Sequence, residues 1–163
     1  VRAGAFGGKE GPPVKIYEKG YKAPVPFTED YLPYLLARAS HSVSSSFHAS
    51  LKDWGLSVPE WRVLACLSDV DGLGVGQLAA MALMKQPSMT KVLDRMEADG
   101  LVRRKATAED RRRVLIHITP KGRARVKPAL AAALAHQRQR LAPFDEAERA
   151  LILRALHLLI GED

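Results

Sequence analysis

Apolar positions along the 163-residue chain recur mostly at helical spacing, with an alternating apolar run after the three arginines at 111–113. Leu32, Leu36, Ala39, Val43, Phe47, Leu51 and Trp54 fall three or four apart, which predicts a long amphipathic helix from about residue 28 to 54. Thr28 is its expected N-cap, Glu29 and Asp30 sit in its first turn, and Gly55 stops it. Such a helix is longer than a small three-helix domain needs, so it is expected to pack against a partner chain. Ser57 and Glu60 have the spacing of a capping box and open a second helix to about Ser68. "DVDGLG" interrupts it, and a short helix over about 76–82 follows without the usual Ser, Thr, Asp or Asn at its start.

The next helix is expected over "QPSMTKVLDRMEADG", with Pro87 in its first turn and Met89, Val92, Leu93 and Met96 on one face. Lys91 and Asp94 point away from that face, Ser88 and Arg95 lie on one flank and Thr90 on the other. Gly100 closes the helix. "LVRRK" and "VLIHI" then read as two strands joined by "ATAEDRRR", a connection whose charge keeps it in solvent. Thr119 and Pro120 start another helix, in which Pro128 removes one internal hydrogen bond and is expected to kink or divide it. Asp145 and Glu148 cap a last helix. Its Leu151, Ile152, Ala155, Leu156, Leu158, Leu159 and Ile160 exceed what one buried stripe of a small monomer can hold, which predicts dimerisation through the terminal helices.

This order predicts an all-α chain with a small β wing (α+β), a winged helix-turn-helix with N- and C-terminal dimerisation helices. Residues 1–27, rich in Gly and Pro, are expected to form an irregular arm. Residues 57–118 are expected to form the DNA-binding domain, with residues 28–56 and 119–163 as the dimerisation region. A polar-faced helix suits the major groove, and a basic hairpin reaches the backbone or the minor groove. Gln86, Ser88 and Thr90 each have an ordinary reading as solvated cap residues. Their place one helix before an Arg-tipped hairpin favours contact with DNA.

Charge sharpens this picture. The net charge of +7 is concentrated in residues 84–127, which carry 13 Lys/Arg against 5 Asp/Glu, whereas residues 1–83 carry 8 of each. A local excess of this size attracts a polyanion and gains from counterion release. No apolar run is long enough to span a membrane and no signal segment opens the chain, so a cytoplasmic location is expected. The single cysteine, Cys66, lies among Leu64, Ala65 and Leu67 and is expected to be packing rather than redox chemistry. His41, His48, His117, His136 and His157 lack metal-ligand spacing, and no phosphate-binding glycine loop or nucleophile elbow occurs; neither an enzyme nor a cofactor is expected.

"LSVPEWRVLACL", "GQLAAMALMKQPSMTKVLDRMEADGLVRR" and "EDRRRVLIHITPKGRA" together resemble the MarR family of winged-helix transcriptional regulators over about residues 30–160. The resemblance implies a homodimer that binds a pseudo-palindromic DNA operator and represses until a small aromatic effector enters a crevice between the dimer helices and the DNA-binding lobe. It places Gln86, Ser88, Thr90, Lys91 and Arg95 on the recognition helix. Asp110 and Arg112 match the wing motif in which a carboxylate braces an arginine for the minor groove, and Arg111 and Arg113 flank it. Lys91 stands where an arginine is frequent and lacks its bidentate fork. For the effector, Arg38, His41, Ser42, Ser45, Trp61 and Arg62 are the expected lining, suited to an aromatic carboxylate or its coenzyme A thioester. A ligand-independent or architectural DNA-binding protein of the same fold, or a basic module that meets an acidic protein, are the rival readings.

Overall fold

The computed structural model describes residues 26–107 and 113–161. By its internal contacts the chain forms two units, divided between His41 and Ser42. The first contains α1 (Phe27–Asp30) and the start of α2 (Leu32–Ser50). Thr28 lies inside α1 rather than capping a long helix: the N-cap is Pro26, and extended backbone at Tyr31 separates α1 from α2. Phe27 and Tyr31 stack with ring centroids 4.4 Å apart, and the Arg38 guanidinium lies 5.7 Å from the Tyr34 ring centre.

The second unit begins within α2. That helix stops at Ser50, short of the expected residue 54, because the chain tightens into a 3-10 turn over Leu51–Trp54. Gly55 (φ +62°) then ends the turn in the left-handed region, with its N–H bonded to the carbonyls of Leu51 and Lys52. Of the apolar stripe read from sequence, Phe47 and Leu51 are buried and Trp54 half-buried, while Leu32, Leu36 and Val43 remain exposed.

Helix α3 (Val58–Asp69) opens on the expected capping box. The Ser57 N–H donates to Glu60 Oε2 at 2.8 Å, and the Glu60 N–H points back to Ser57 Oγ at 3.4 Å. The segment after α3 is more than a break. Leu73–Gly74 forms β1, a strand that the sequence reading missed, and it pairs antiparallel with Leu115 and Ile116. Two residues are too few to show alternation, so only the partner strand identifies it. Helix α4 (Val75–Met81) follows, and Gly74 occupies its cap. The missing polar cap is replaced from within, since Gln77 Oε1 accepts the Gly74 N–H at 3.2 Å.

Helix α5 (Gln86–Ala98), β2 (Val102–Ala106) and β3 (Val114–Ile118) complete the winged arrangement, in a sheet of order β1-β3-β2. Helix α6 (Pro120–Leu141) passes through Pro128 without dividing, and α7 (Glu146–Ile160) starts on the expected Asp145–Glu148 capping box. The core lies between α3, α4, α5, the sheet and the first half of α6. It includes Val63, Leu64, Leu67, Leu78, Met89, Leu93, Met96, Ile116 and Val126, each at most 1% exposed. Burying side chains of this size stabilises the fold by about 2 kcal/mol each. No residue of α7 is buried.

Candidate nucleic-acid interface

Helix α5 is fixed from below and left open above. Met89, Val92, Leu93 and Met96 all enter the core, as their spacing predicts. Gln86, Ser88, Thr90, Lys91 and Arg95 are all exposed. The helix is thus one apolar stripe anchored to α3, α4 and the sheet, with a polar and cationic surface facing outward.

The outward side chains are partly pre-set. Thr90 Oγ1 donates to the Gln86 carbonyl at 3.2 Å, which leaves the hydroxyl lone pairs free to accept. Gln86 folds toward α4, where a Cβ built on Gly76 would stand 2.8 Å from its Nε2. Lys85, the N-cap residue, is exposed and makes no side-chain cap, so its ammonium extends the cationic surface before the first turn.

Asp94 does point away from the helix core, yet it is not a free acidic group. Arg104 of β2 reaches Asp94 Oδ1 through Nη2 at 2.6 Å and Glu97 Oε2 through Nη1, and its backbone N–H donates to Glu97 Oε1 at 2.8 Å. The Arg104 backbone bond, together with the guanidinium, outweighs partial burial and holds the Glu97 carboxyl below the usual carboxylate range. Burial opposes the Arg104 charge, but bonds to both carboxylates overcome that effect and raise its pKa. One side chain therefore ties the root of the hairpin to α5 and neutralises carboxylates that would repel phosphate. The alternation of β2 places Arg103 and Lys105 exposed on either side of half-buried Arg104. These two cations, with Lys85, are interface candidates that sequence reading passed over, although the strand period and the basic run both marked them.

A second tie holds the inner strand. Asp71, just before β1, accepts the Ile118 N–H at 2.9 Å and lies 3.3 Å from His117 Nδ1 and 3.7 Å from Arg123 Nη2. Burial raises the Asp71 pKa, but the Ile118 N–H, His117 and Arg123 outweigh it and bring the carboxyl below its usual value. At the start of α6, Thr119 Oγ1 accepts the Gly122 N–H at 3.0 Å and donates toward the Gly100 carbonyl at 2.7 Å. The joint between α5 and β2 is thereby locked to the helix that follows the wing.

The wing tip is a different matter. Arg113 is described and exposed. Asp110, Arg111 and Arg112 lie outside the described residues.

The expected effector-lining residues are also distributed. Arg38 and His41 belong to the first unit, and Ser42, Ser45, Trp61 and Arg62 to the second. Ser42 Oγ accepts from Arg140 Nη2 at 3.3 Å, and Ser45 is exposed. Trp61 and Arg62 are half-buried, with Trp61 meeting the Phe47 ring edge-on at 5.0 Å. Nearby, Ser46 Oγ lies 3.1 Å from His136 Nε2, and the His136 ring lies 5.9 Å from that of Phe47. Sequence reading missed His136 and Arg140 here because they lie 90 positions from Ser46 and 98 from Ser42, respectively. The His48 pKa is lowered by burial and then by the Arg62 charge. Cys66 is partly buried, and burial pushes its thiol up, away from the reactive thiolate. Among the described residues no cluster of three or more His, Cys, Asp or Glu could hold a metal ion. No described helix is long and apolar enough to cross a membrane.

Comparison with known proteins places this arrangement in a family. A family model described as the MarR family matches residues 56–114. The homoprotocatechuate degradative operon repressor of Escherichia coli is 34% identical over 95 residues, which is 58% of this chain and 64% of that repressor. The chain thus spans less than two thirds of the length of the first curated relatives it matches. Among solved structures, the MarR family transcriptional regulator SPO1453 from Silicibacter pomeroyi DSS-3 superposes with a TM-score of 0.73. It is 40% identical, and the match covers 83% of this chain and 99% of that one. The Mycobacterium tuberculosis MarR family protein Rv2887, solved in complex with salicylic acid, gives a TM-score of 0.64 at 32% identity, covering 78% of this chain and 95% of that one. With its open-faced helix, its wing and these matches, the chain belongs to the MarR family of winged-helix DNA-binding transcriptional regulators.

Proposed function

We propose that this chain works as a homodimeric, sequence-specific repressor that leaves its operator when a small aromatic acid, or its coenzyme A thioester, binds. The observation that carries the DNA-binding part is α5 itself: four side chains sunk in the core and Gln86, Ser88, Thr90, Lys91 and Arg95 exposed on the surface braced by Arg104. In this reading Ser88, Thr90 and Lys91 meet base edges and phosphates in the major groove, with Gln86 and Arg95 at its margins. The wing supplies Arg112, positioned by Asp110, to the minor groove, with Arg111 and Arg113 on the flanking backbone.

Support for an aromatic effector comes from relatives. One represses a homoprotocatechuate degradative operon, and another was solved with salicylic acid. Arg38, His41, Ser42, Ser45, Trp61 and Arg62 are the proposed contacts. The exposed leucines of α7 and the exposed apolar positions of α2 supply the dimer interface.

Fluorescence anisotropy tests the reading with the chain's own promoter-proximal DNA and a scrambled duplex of equal length, each with and without aromatic acids and their thioesters. The expected result is a preference for the promoter duplex that survives rising salt and is relieved by one compound. Equal binding to both duplexes, unmoved by any compound, would favour an architectural role. Arg112→Ala should weaken promoter binding by about 1–3 kcal/mol while the protein stays folded.

A further inference from the structure

Helix α6 carries six Lys or Arg residues and no Asp or Glu, and four of those cations, Lys121, Arg123, Arg125 and Lys127, fall in its first eight residues. The positive end of a helix dipole disfavours cations, so this arrangement costs stability unless anions offset it. Arg123 has such a partner, since its Nη2 lies 3.7 Å from Asp71 Oδ2. On another side of the helix a groove of about 380 Å³ opens against the 3-10 turn, lined by Trp54, Lys121, Ala124, Arg125 and Pro128. Two cations and two apolar rings share its rim.

The charges in the groove are held in place without being neutralised. Lys121 Nζ donates to the Asp99 carbonyl at 2.7 Å, and Arg125 Nη1 donates to the Gly55 carbonyl at 3.3 Å. Neither side chain has a carboxylate within 4.0 Å among the described residues. Gly55 contributes to this placement, because a Cβ there would stand 3.1 Å from Arg125 Nη1 and crowd the guanidinium. A neutral carbonyl uses one donor of each cation and leaves the rest, with the whole charge, for anions.

We infer that this groove docks an extended acidic segment of a partner protein, in which two carboxylates at alternate positions meet Lys121 and Arg125 and the next alternate, apolar side chain covers Trp54 and Pro128. Spacing and charge complementarity carry the choice of occupant. Lys121 and Arg125 stand about 6 Å apart along the helix axis, and side chains two positions apart on an extended chain are separated by about 6.6 Å. Pro128 comes one turn further along the same face, where the next alternate side chain of such a strand arrives. A duplex backbone offers phosphates in series but no apolar side chain for the indole to bury. Lys121 is anchored at Asp99, about 20 Å along α5 from Gln86, so a docked segment leaves the polar first turns of that helix open. The site depends on no part of the DNA-binding or effector readings.

The Trp54 indole reports occupancy directly in the full chain. In ¹⁵N-labelled protein its N–H resonance is assigned by the peak lost in Trp54→Phe. The probe is a blocked heptapeptide, Leu-Ser-Glu-Ser-Glu-Ser-Leu, which presents the same pattern in both chain directions. It should move the Trp54 resonance along a saturating curve. A Gln form of the peptide should bind about tenfold more weakly, and an isomer with its two Glu residues adjacent should bind severalfold more weakly. Arg125→Gln should weaken the parent curve about tenfold, and Arg125→Lys should restore part of the loss. No saturating Trp54 response, or one unchanged in both Arg125→Gln and Lys121→Gln, overturns the docking site. Equal binding of the Gln form overturns the acidic partner, and equal binding of the isomer overturns the extended register. Benzoate or a scrambled DNA duplex moving Trp54 more tightly than the peptide overturns the protein partner. Self-association that is lost in Arg125→Gln, read by sedimentation, would make the occupant a second copy of this chain and overturn a separate partner. The amide spectrum recorded in each titration reports whether the variant is folded, and promoter anisotropy on the same samples tests the DNA-binding reading independently.

Discussion

Two residues show how local geometry dictates residue type. Gly122, in the first turn of α6, has ordinary helical neighbours but no room: an added Cβ would stand 2.2 Å from the Leu101 carbonyl oxygen and 2.9 Å from Ile118 Cγ1. The backbone of α6 comes close to the α5–β2 joint there, and the Thr119 bonds draw it in. Gly122→Ala should therefore destabilise the fold by about 2–4 kcal/mol, read as a lower midpoint in urea unfolding at unchanged slope. Leu83 presents the opposite case. It sits between α4 and α5 at φ +55°, a conformation costly to a residue with a Cβ, and its side chain is 79% exposed. Burial contributes almost nothing there to offset the strain. Leu83→Gly should raise unfolding stability by about 1 kcal/mol, checked by the same denaturation, and an unchanged or lower midpoint would contradict that account. The spacing of apolar residues revealed neither feature, because a close approach and a left-handed turn both depend on what lies opposite in space.

Among elements, the wing and α5 are joined by one arginine. Arg104→Ala should remove the guanidinium ties between them, leaving Asp94 without its ion pair and Glu97 with only the backbone N–H of position 104, on the surface proposed to face DNA. Stability should fall by about 1 kcal/mol, since the pair is partly exposed to solvent. Promoter affinity should fall further than the loss of one remote charge explains, while Arg104→Lys should recover the charge without the two-way grip. The link also has a pH signature. The Glu97 and Asp71 carboxyls titrate below their ordinary values in the folded chain. Between the folded and unfolded values the unfolded state binds more protons, so these groups stabilise the fold fully above the ordinary carboxylate range. That contribution is lost as pH falls through their depressed folded values. Urea unfolding from neutral to acid pH should show the loss, with a smaller acid-side decline in Arg104→Ala. Equal declines would remove the Arg104 guanidinium as a source and leave the backbone N–H. The strands of this link were legible from alternation in "VLIHI" and from the basic run. Its partners were not, since Arg104 meets residues seven and ten positions earlier on a different element.

For the molecule as a whole, the most telling observation is surface that no described contact covers. Along α7, Leu151, Leu158, Leu159 and Ile160 are each more than half exposed, and α7 contributes no buried residue. A helix this apolar is stable in water only with its face covered, which is the physical basis for the proposed homodimer. Sedimentation of the wild type should give a dimer and a concentration-dependent melting temperature. Leu151→Glu combined with Leu158→Glu should shift the mass toward the monomer and weaken binding to a two-half-site promoter duplex by at least about tenfold. A monomeric wild type that still prefers its promoter would overturn the dimer.

The sequence by itself determined the parts of this protein governed by short-range rules. Caps at Ser57, Thr119 and Asp145, the buried face of α5, two short strands and the block of positive charge follow from the chemistry of neighbours within a few positions. Family membership was legible for the same reason, because the motifs that carry it are contiguous. Tertiary structure alone decided the third strand at Leu73–Gly74, the grip of Arg104 on α5, the pairing of Ser46 with His136, and the fixing of Lys121 and Arg125 beside Trp54. Each of these depends on which distant backbone or side chain arrives opposite. No local periodicity records that arrival; it is set when the apolar faces of separate elements are buried together in one core.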